Sequence, residues 1–148
     1  MFIINLAVLV AVGDNYDRKS EKFEADNWSD IQEPPVPGID MFHFAALFNA
    51  GNHYFFGGHS AGRLASILRL DGNSWTWSNV GQLNSPRWGH GVILVGNTFK
   101  ILGGDGTFRN EVCLLTNEQL TCTEQTSSLT DYVYTPVLSL VDDNYGNC

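Results

Sequence analysis

Residues 54–83 read YFFGGHSAGRLASILRLDGNSWTWSNVGQL, and the order of features within them decides the fold. An apolar strand ends on Gly57-Gly58; a polar loop follows, then a strand, a tight turn, and another strand opening on Trp75. The same order returns at residues 99–125, FKILGGDGTFRNEVCLLTNEQLTCTEQ, around Gly103-Gly104, with Leu120 in the tryptophan's place. It returns again at residues 7–35, AVLVAVGDNYDRKSEKFEADNWSDIQEPP, around Gly13 and Trp28. Upstream, HFAALFNAGNHYFFGG (43–58) and HGVILVGNTFKILGG (90–104) set His43 and His90 ahead of matching strands. Landmarks returning about every 45 residues mark one supersecondary unit copied along the chain. The copies fall at roughly 1–40, 41–86 and 87–132, with a partial unit at 133–148, so residues 1–148 form one repeat segment.

Whole-chain properties agree with a folded β-rich protein. Of 148 residues, 43% are hydrophobic, 12% aromatic and only 16% charged, outside the range of disordered chains. Fifteen glycines against two methionines favour many turns over long helices. A net charge of -8, spread along the chain, lacks the basic stripe that nucleic-acid binding needs. No run of eighteen apolar residues exists to span a membrane as a helix. Residues 1–13 have two readings. The apolar run from Phe2 to Val12 resembles the core of a signal peptide, although no Lys or Arg precedes Arg18. In the repeat register, Ala7 to Gly13 align with Thr98 to Gly104, which makes the same segment a first strand.

The hairpins follow from counting. Two-residue turns are expected at Ala25-Asp26, Gly72-Asn73 and Asn117-Glu118, the loop length commonest in hairpins. Gly-Asn suits the positive φ of such turns; Ala-Asp and Asn-Glu suit it less. This register sets Leu68 opposite Trp77 and Cys113 opposite Cys122. Opposed residues of an antiparallel pair lie within disulfide reach, so a Cys113–Cys122 bridge is expected, with two buried thiols as the alternative. A bridge implies an oxidising, extracellular setting, and free thiols a cytoplasmic one. Cys148 is the odd cysteine. Asn27-Trp28-Ser29 is a glycosylation sequon beside a hairpin tip, a weak pointer in the same direction.

Together the landmarks resemble the kelch repeat, the blade unit of kelch-type β-propellers. The copy at 54–90 matches best, with Gly57-Gly58, Trp75, and then Pro86, Arg87, Gly89 and His90 where the family carries Pro, Arg and Gly-His. The third copy keeps Gly103-Gly104 but has Leu120; the first keeps Trp28 but only Gly13, and lacks an Arg before His43. The resemblance implies an all-β fold of four-stranded antiparallel sheets in an incomplete or open propeller, and no single activity. The landmark residues have structural roles: glycines where a side chain would clash, Trp28 and Trp75 as plates between blades, Arg87 donating to loop carbonyls beneath the glycines. Three blades' worth of chain is short of the usual four to eight. The chain is therefore expected to be a fragment of a longer propeller, or to self-associate to complete one.

Catalytic chemistry finds little footing. His43 and His90 are explained by the repeat, and His53 and His59 lack spacing for one ion, so no metal or other cofactor is expected. LRLDGNSWTW resembles a sialidase Asp box, but Asp71 adjoins Gly72 and the leading Ser is missing. No nucleophile elbow or phosphate loop occurs. No catalytic residue is assigned. The expected function is a non-enzymatic scaffold whose loops GDNYDRKS (13–20), GHSAGR (58–63) and GDGTFRN (104–110) bind a protein or glycan. The alternative is the remnant of a propeller enzyme such as a galactose-oxidase-like copper oxidase.

Overall fold

The computed structural model describes residues 8–11, 20–24, 27–35, 43–105 and 109–128. Among them the chain is all-β, without helix, in eleven strands. β1 (Val8–Ala11), β2 (Ser20–Glu24) and β3 (Asn27–Ile31) form a three-stranded antiparallel sheet. β4 (Ala45–Asn49), β5 (Asn52–Phe56), β6 (Ser66–Asp71) and β7 (Trp77–Gln82) form a four-stranded antiparallel meander. β8 (Gly91–Val95), β9 (Thr98–Leu102), β10 (Arg109–Thr116) and β11 (Gln119–Ser128) form a second. A short parallel pairing, Leu120 with Gly81 and Thr121 with Gln82, joins the meanders through β11 and β7. β4 and β8, at the other edges, also touch, so the eight strands nearly close on themselves. This is compatible with an incomplete, propeller-like all-β fold. Val8–Ala11 of the first apolar run form a strand, whereas residues 1–7 and 12–13 lie outside the described residues.

Successive side chains of a strand point to opposite faces, and the meander β4–β7 is packed on both. On its front, Ala45, Tyr54, Phe56, Ile67 and Val80 meet Phe99, Ile101, Cys113 and Leu120 of β8–β11. On its back, Phe55, Leu68 and Leu70 pack with Trp75, Trp77 and Ile31 of the first sheet. Phe99 joins the two meanders, its ring 5.2 Å from both Tyr54 and Phe56. Each buried ring or aliphatic side chain contributes about 1.5–3 kcal/mol, so these two layers carry most of the fold. The first sheet is also tied by the Trp77 indole, which donates to the Gln32 carbonyl at 2.6 Å, and by Lys22 5.0 Å above the Trp75 ring.

Cys113 pairs with Cys122 in register and the two are disulfide-bonded, Cα to Cα 4.0 Å. The turn behind them is Asn117-Glu118, both at positive φ as a two-residue turn demands. Glu24 pairs with Asn27, and residues 25–26 between them lie outside the described residues. The third expected turn is corrected. Asp71 donates its N–H to the Thr76 carbonyl, so the loop is the four residues Gly72–Trp75. The Asp71 carboxylate accepts from the Asn73 and Ser74 amides, holding the wider loop. Trp77 therefore faces Leu70, not Leu68, which faces Asn79. Leu70 lies opposite His53, as Cys113 lies opposite Phe99. The Leu70–Trp77 pair is thus what the disulfide replaces one repeat later.

The double glycines end β5 and β9 with φ of 54° and 106° at Gly57 and Gly58, and 71° and 94° at Gly103 and Gly104. A Cβ on Gly104 would sit 2.8 Å from both the Trp88 carbonyl and the His90 Cβ. Gly62, in the loop after β5, has open space around it. Gly104→Val is therefore expected to cost about 2–4 kcal/mol, and Gly62→Val within about 0.5 kcal/mol. Thermal melts of the two variants check this; equal melting temperatures would contradict the close approach at Gly104.

Candidate functional site

The loops that follow the double glycines gather at one end of the two meanders. Their foundation is Arg87, fully buried between β7 and β8. Its guanidinium donates to Glu111 Oε1 of β10 at 2.5 Å, to the Gly103 carbonyl at 3.2 Å and to the Ser85 carbonyl at 3.3 Å. Its own backbone carbonyl accepts from the Gly58 amide, and its amide donates to the Leu64 carbonyl. Glu111, equally buried, also accepts from the Asn84 amide, the Asn84 side chain and the Ser85 amide. Every strong acceptor site of the carboxylate is therefore engaged. Burial pushes the Arg87 guanidinium below its ordinary range, with the Glu111 charge pulling the other way. The expected donation from Arg87 to loop carbonyls is present at Gly103; Glu111 is the partner that sequence reasoning missed.

Above this foundation sits Trp88, half-buried. The His43 ring stacks on it at 5.0 Å, and the His59 ring meets it edge-on at 6.3 Å. Asp105 donates its amide to the Trp88 carbonyl. The Asp105 carboxylate takes two hydrogen bonds from Arg63, at 2.6 and 2.9 Å. Arg63 belongs to the loop after β5 and Asp105 to the loop after β9, so this ion pair links equivalent loops of neighbouring repeats. Arg63 is half exposed, and such a pair contributes no more than about 1 kcal/mol. It fixes the shape of the surface more than the stability of the fold. Residues 13–19 of the first loop lie outside the described residues, as do 106–108 of the third.

His43 and His90 do not share a position. Ala45 pairs with Phe56 as Gly91 pairs with Leu102, each opposite the residue before a double glycine. His43 is therefore level with Gly89, and Phe44 with His90. The backbone agrees, since His43 has φ 54° and Gly89 φ 61°. His43 is exposed beside Trp88, while His90 is buried against Gly57 and Gly104. Burial, and then the Arg87 charge, push the His90 imidazole down to about 4, against a weaker pull from the Phe56 backbone. Of the other landmarks, Trp75 is half-buried behind β4–β7, Asn27 is exposed, and Trp28 is 52% exposed rather than filling a gap between sheets. Among the described residues no three His, Cys, Asp or Glu side chains gather where an ion could be held. No family model matches the chain, and no curated protein matches it significantly.

Two outcomes follow from this geometry. Arg87→Met and Glu111→Leu are each expected to cost about 3–5 kcal/mol, because each leaves a buried partner uncompensated. Arg87→Met with Glu111→Leu should cost clearly less than the sum, and denaturant unfolding of the cycle measures the difference. His90 sets a pH dependence. Its folded value lies below the unfolded 6.5, so between pH 6.5 and about 4 the unfolded chain binds the extra proton. The stability that His90 contributes is complete above pH 6.5 and falls by about 3 kcal/mol on acidification through that window. His90→Phe, copying Phe44, should flatten this part of the stability–pH curve. An unchanged slope would contradict the assignment.

Proposed function

We propose that the chain is a non-enzymatic, secreted scaffold of kelch-type repeats that binds a protein or glycan through its post-glycine loops. The observation that carries this reading is the surface around Trp88, where loops from two repeats are locked by the Arg63–Asp105 pair. Aromatic and guanidinium groups held on a rigid base are the residue types that dominate binding hot spots. Trp88 with the His43 and His59 rings about it forms an aromatic cluster at this end of the sheets. The loop residues differ from copy to copy while the glycines beneath them recur, as expected where a scaffold is constant and recognition varies. The Cys113–Cys122 disulfide supports an oxidising location, and exposed Asn27 leaves its sequon accessible.

The test is binding of the chain to panels of extracellular ectodomains and immobilised glycans, alongside Arg63→Ala and Trp88→Ala. A partner retained by the parent and weakened at least about tenfold by both variants is expected, since hot-spot truncations cost 1–2 kcal/mol or more. Their melting temperatures should stay near that of the parent. Binding that ignores both substitutions, or copper-dependent oxidation of sugar alcohols, would contradict the proposal.

A further inference from the structure

His90 is the buried titratable side chain that the surface around Trp88 does not itself use. It is 5% exposed and sits between the two double glycines. A Cβ on Gly57 would lie 2.9 Å from the His90 Cε1, and one on Gly104 2.8 Å from the His90 Cβ. Bare glycine backbone is therefore what covers the residue on both sides. Neither ring nitrogen has a hydrogen-bond partner among the described residues, although the Phe56 backbone pulls weakly on the ring. Such an imidazole is tolerated while it is neutral; a proton on it would be a buried charge without an acceptor.

The groups around His90 offer that proton no counter-ion. Arg87, on the same connection, bears on the ring directly and carries the same charge. Glu111 on β10 is filled by Arg87, Asn84 and Ser85, and Glu124 on β11 accepts from the Ser85 hydroxyl. Asp105, after β9, is held by Arg63, after β5. His43, ahead of β4, and His59, after β5, lie against the Trp88 ring. No carboxylate can turn to His90 without leaving a partner it already holds. The cover itself is fastened by single hydrogen bonds. The Gly58 amide donates to the Arg87 carbonyl at 2.9 Å, the Asp105 amide to the Trp88 carbonyl at 2.8 Å, and the Gly89 amide to the His43 carbonyl at 2.9 Å. Bonds of this kind at loop ends open locally at a smaller cost than strand ladders. Asn84 and Ser85 stay tied to Glu111, so the opening stops short of them.

We propose that His90 is an acid-sensing latch: when it takes a proton, the loops after both double glycines lift from residues 88–90 and the surface around Trp88 comes apart. The consequence, release of a bound protein or glycan in acidified surroundings, rests on the binding role proposed above for that surface. Covered, the imidazole is held down to about 4; uncovered, it returns to its ordinary 6.5. The open form thus binds a proton that the closed form refuses, so acid favours opening. Between pH 7 and pH 5 the opening equilibrium rises about twentyfold. Arg63 and Asp105 belong to the two lifting loops, and their ion pair is half exposed, too weak to hold the loops against that shift.

Amide hydrogen exchange of the full chain tests this, each rate being corrected for the chemical rate at its pH. The Gly58 and Asp105 amides are expected to be less protected than the Phe99 amide at pH 7, and to lose about twentyfold of that protection by pH 5. In His90→Phe the loss should stay within about twofold, and His90→Gln gives the same reading if the larger ring does not fold. Gly58 and Asp105 amides protected to the level of Phe99 would overturn the proposal, since no local opening would then exist. Protection in the parent that is unchanged between pH 7 and pH 5 would do the same. So would an acid loss retained in a folded variant, which would belong to His43, His59 or Asp105 instead. This measurement needs no ligand: loops that open as expected, with no partner found among ectodomains and glycans, would sink the binding role and leave the latch standing.

Discussion

The buried Arg87–Glu111 pair is the interaction on which the rest of the structure leans. Two opposite charges with no solvent exposure are tolerated only when their remaining hydrogen-bonding capacity is filled. Filling it recruits the connection between repeats. The Asn84 and Ser85 amides turn inward to Glu111, and Arg87 reaches the Gly103 carbonyl at the end of β9. Through its backbone, Arg87 also holds the Gly58 amide and the Leu64 carbonyl of the preceding repeat. One residue thus sets the register between the double glycine of one meander and that of the next. The gatherings above it, around Trp88 and Asp105, follow from where that connection is held.

The apolar layers supply magnitude where the ion pair supplies position. Phe99 between Tyr54 and Phe56, and Leu70 against Trp77, bury rings and aliphatic groups at each junction. Sheet packing alone is tolerant of small slides, because apolar contact is not directional. The pair and its hydrogen bonds are directional and remove that freedom. Gly81 has a related role at the outer edge: a Cβ there would lie 2.4 Å from the Leu120 carbonyl, so only glycine lets β7 and β11 meet.

What the sequence made legible was local. The strands between glycines and the Cys113–Cys122 pairing follow from counting outward from a two-residue turn at Asn117-Glu118. The same count failed at Gly72-Asn73, where the Asp71 carboxylate caps two amides and widens the loop to four residues. Identity of residue type misled at His43 and His90; the backbone aligns His43 with Gly89, a position of positive φ that the side chain does not reveal. Glu111 could not be read at all. Its partner lies 24 residues away, and a lone Glu in a strand looks like an edge charge until the fold buries it. Trp88, in the run SPRWGH, was hidden among motif neighbours whose role is structural.

Backbone hydrogen exchange at the 83–90 connection measures most directly how firmly Arg87 and Glu111 hold it. An ordinary surface loop exchanges through local opening, far faster than core strands. If Glu111 and Arg87 lock this connection, the Asn84 and Ser85 amides should exchange only through global unfolding, as slowly as core amides such as Phe99. Protection of those two amides matching Phe99 is the predicted result, and exchange at the rate of the exposed Ala61 loop would contradict it.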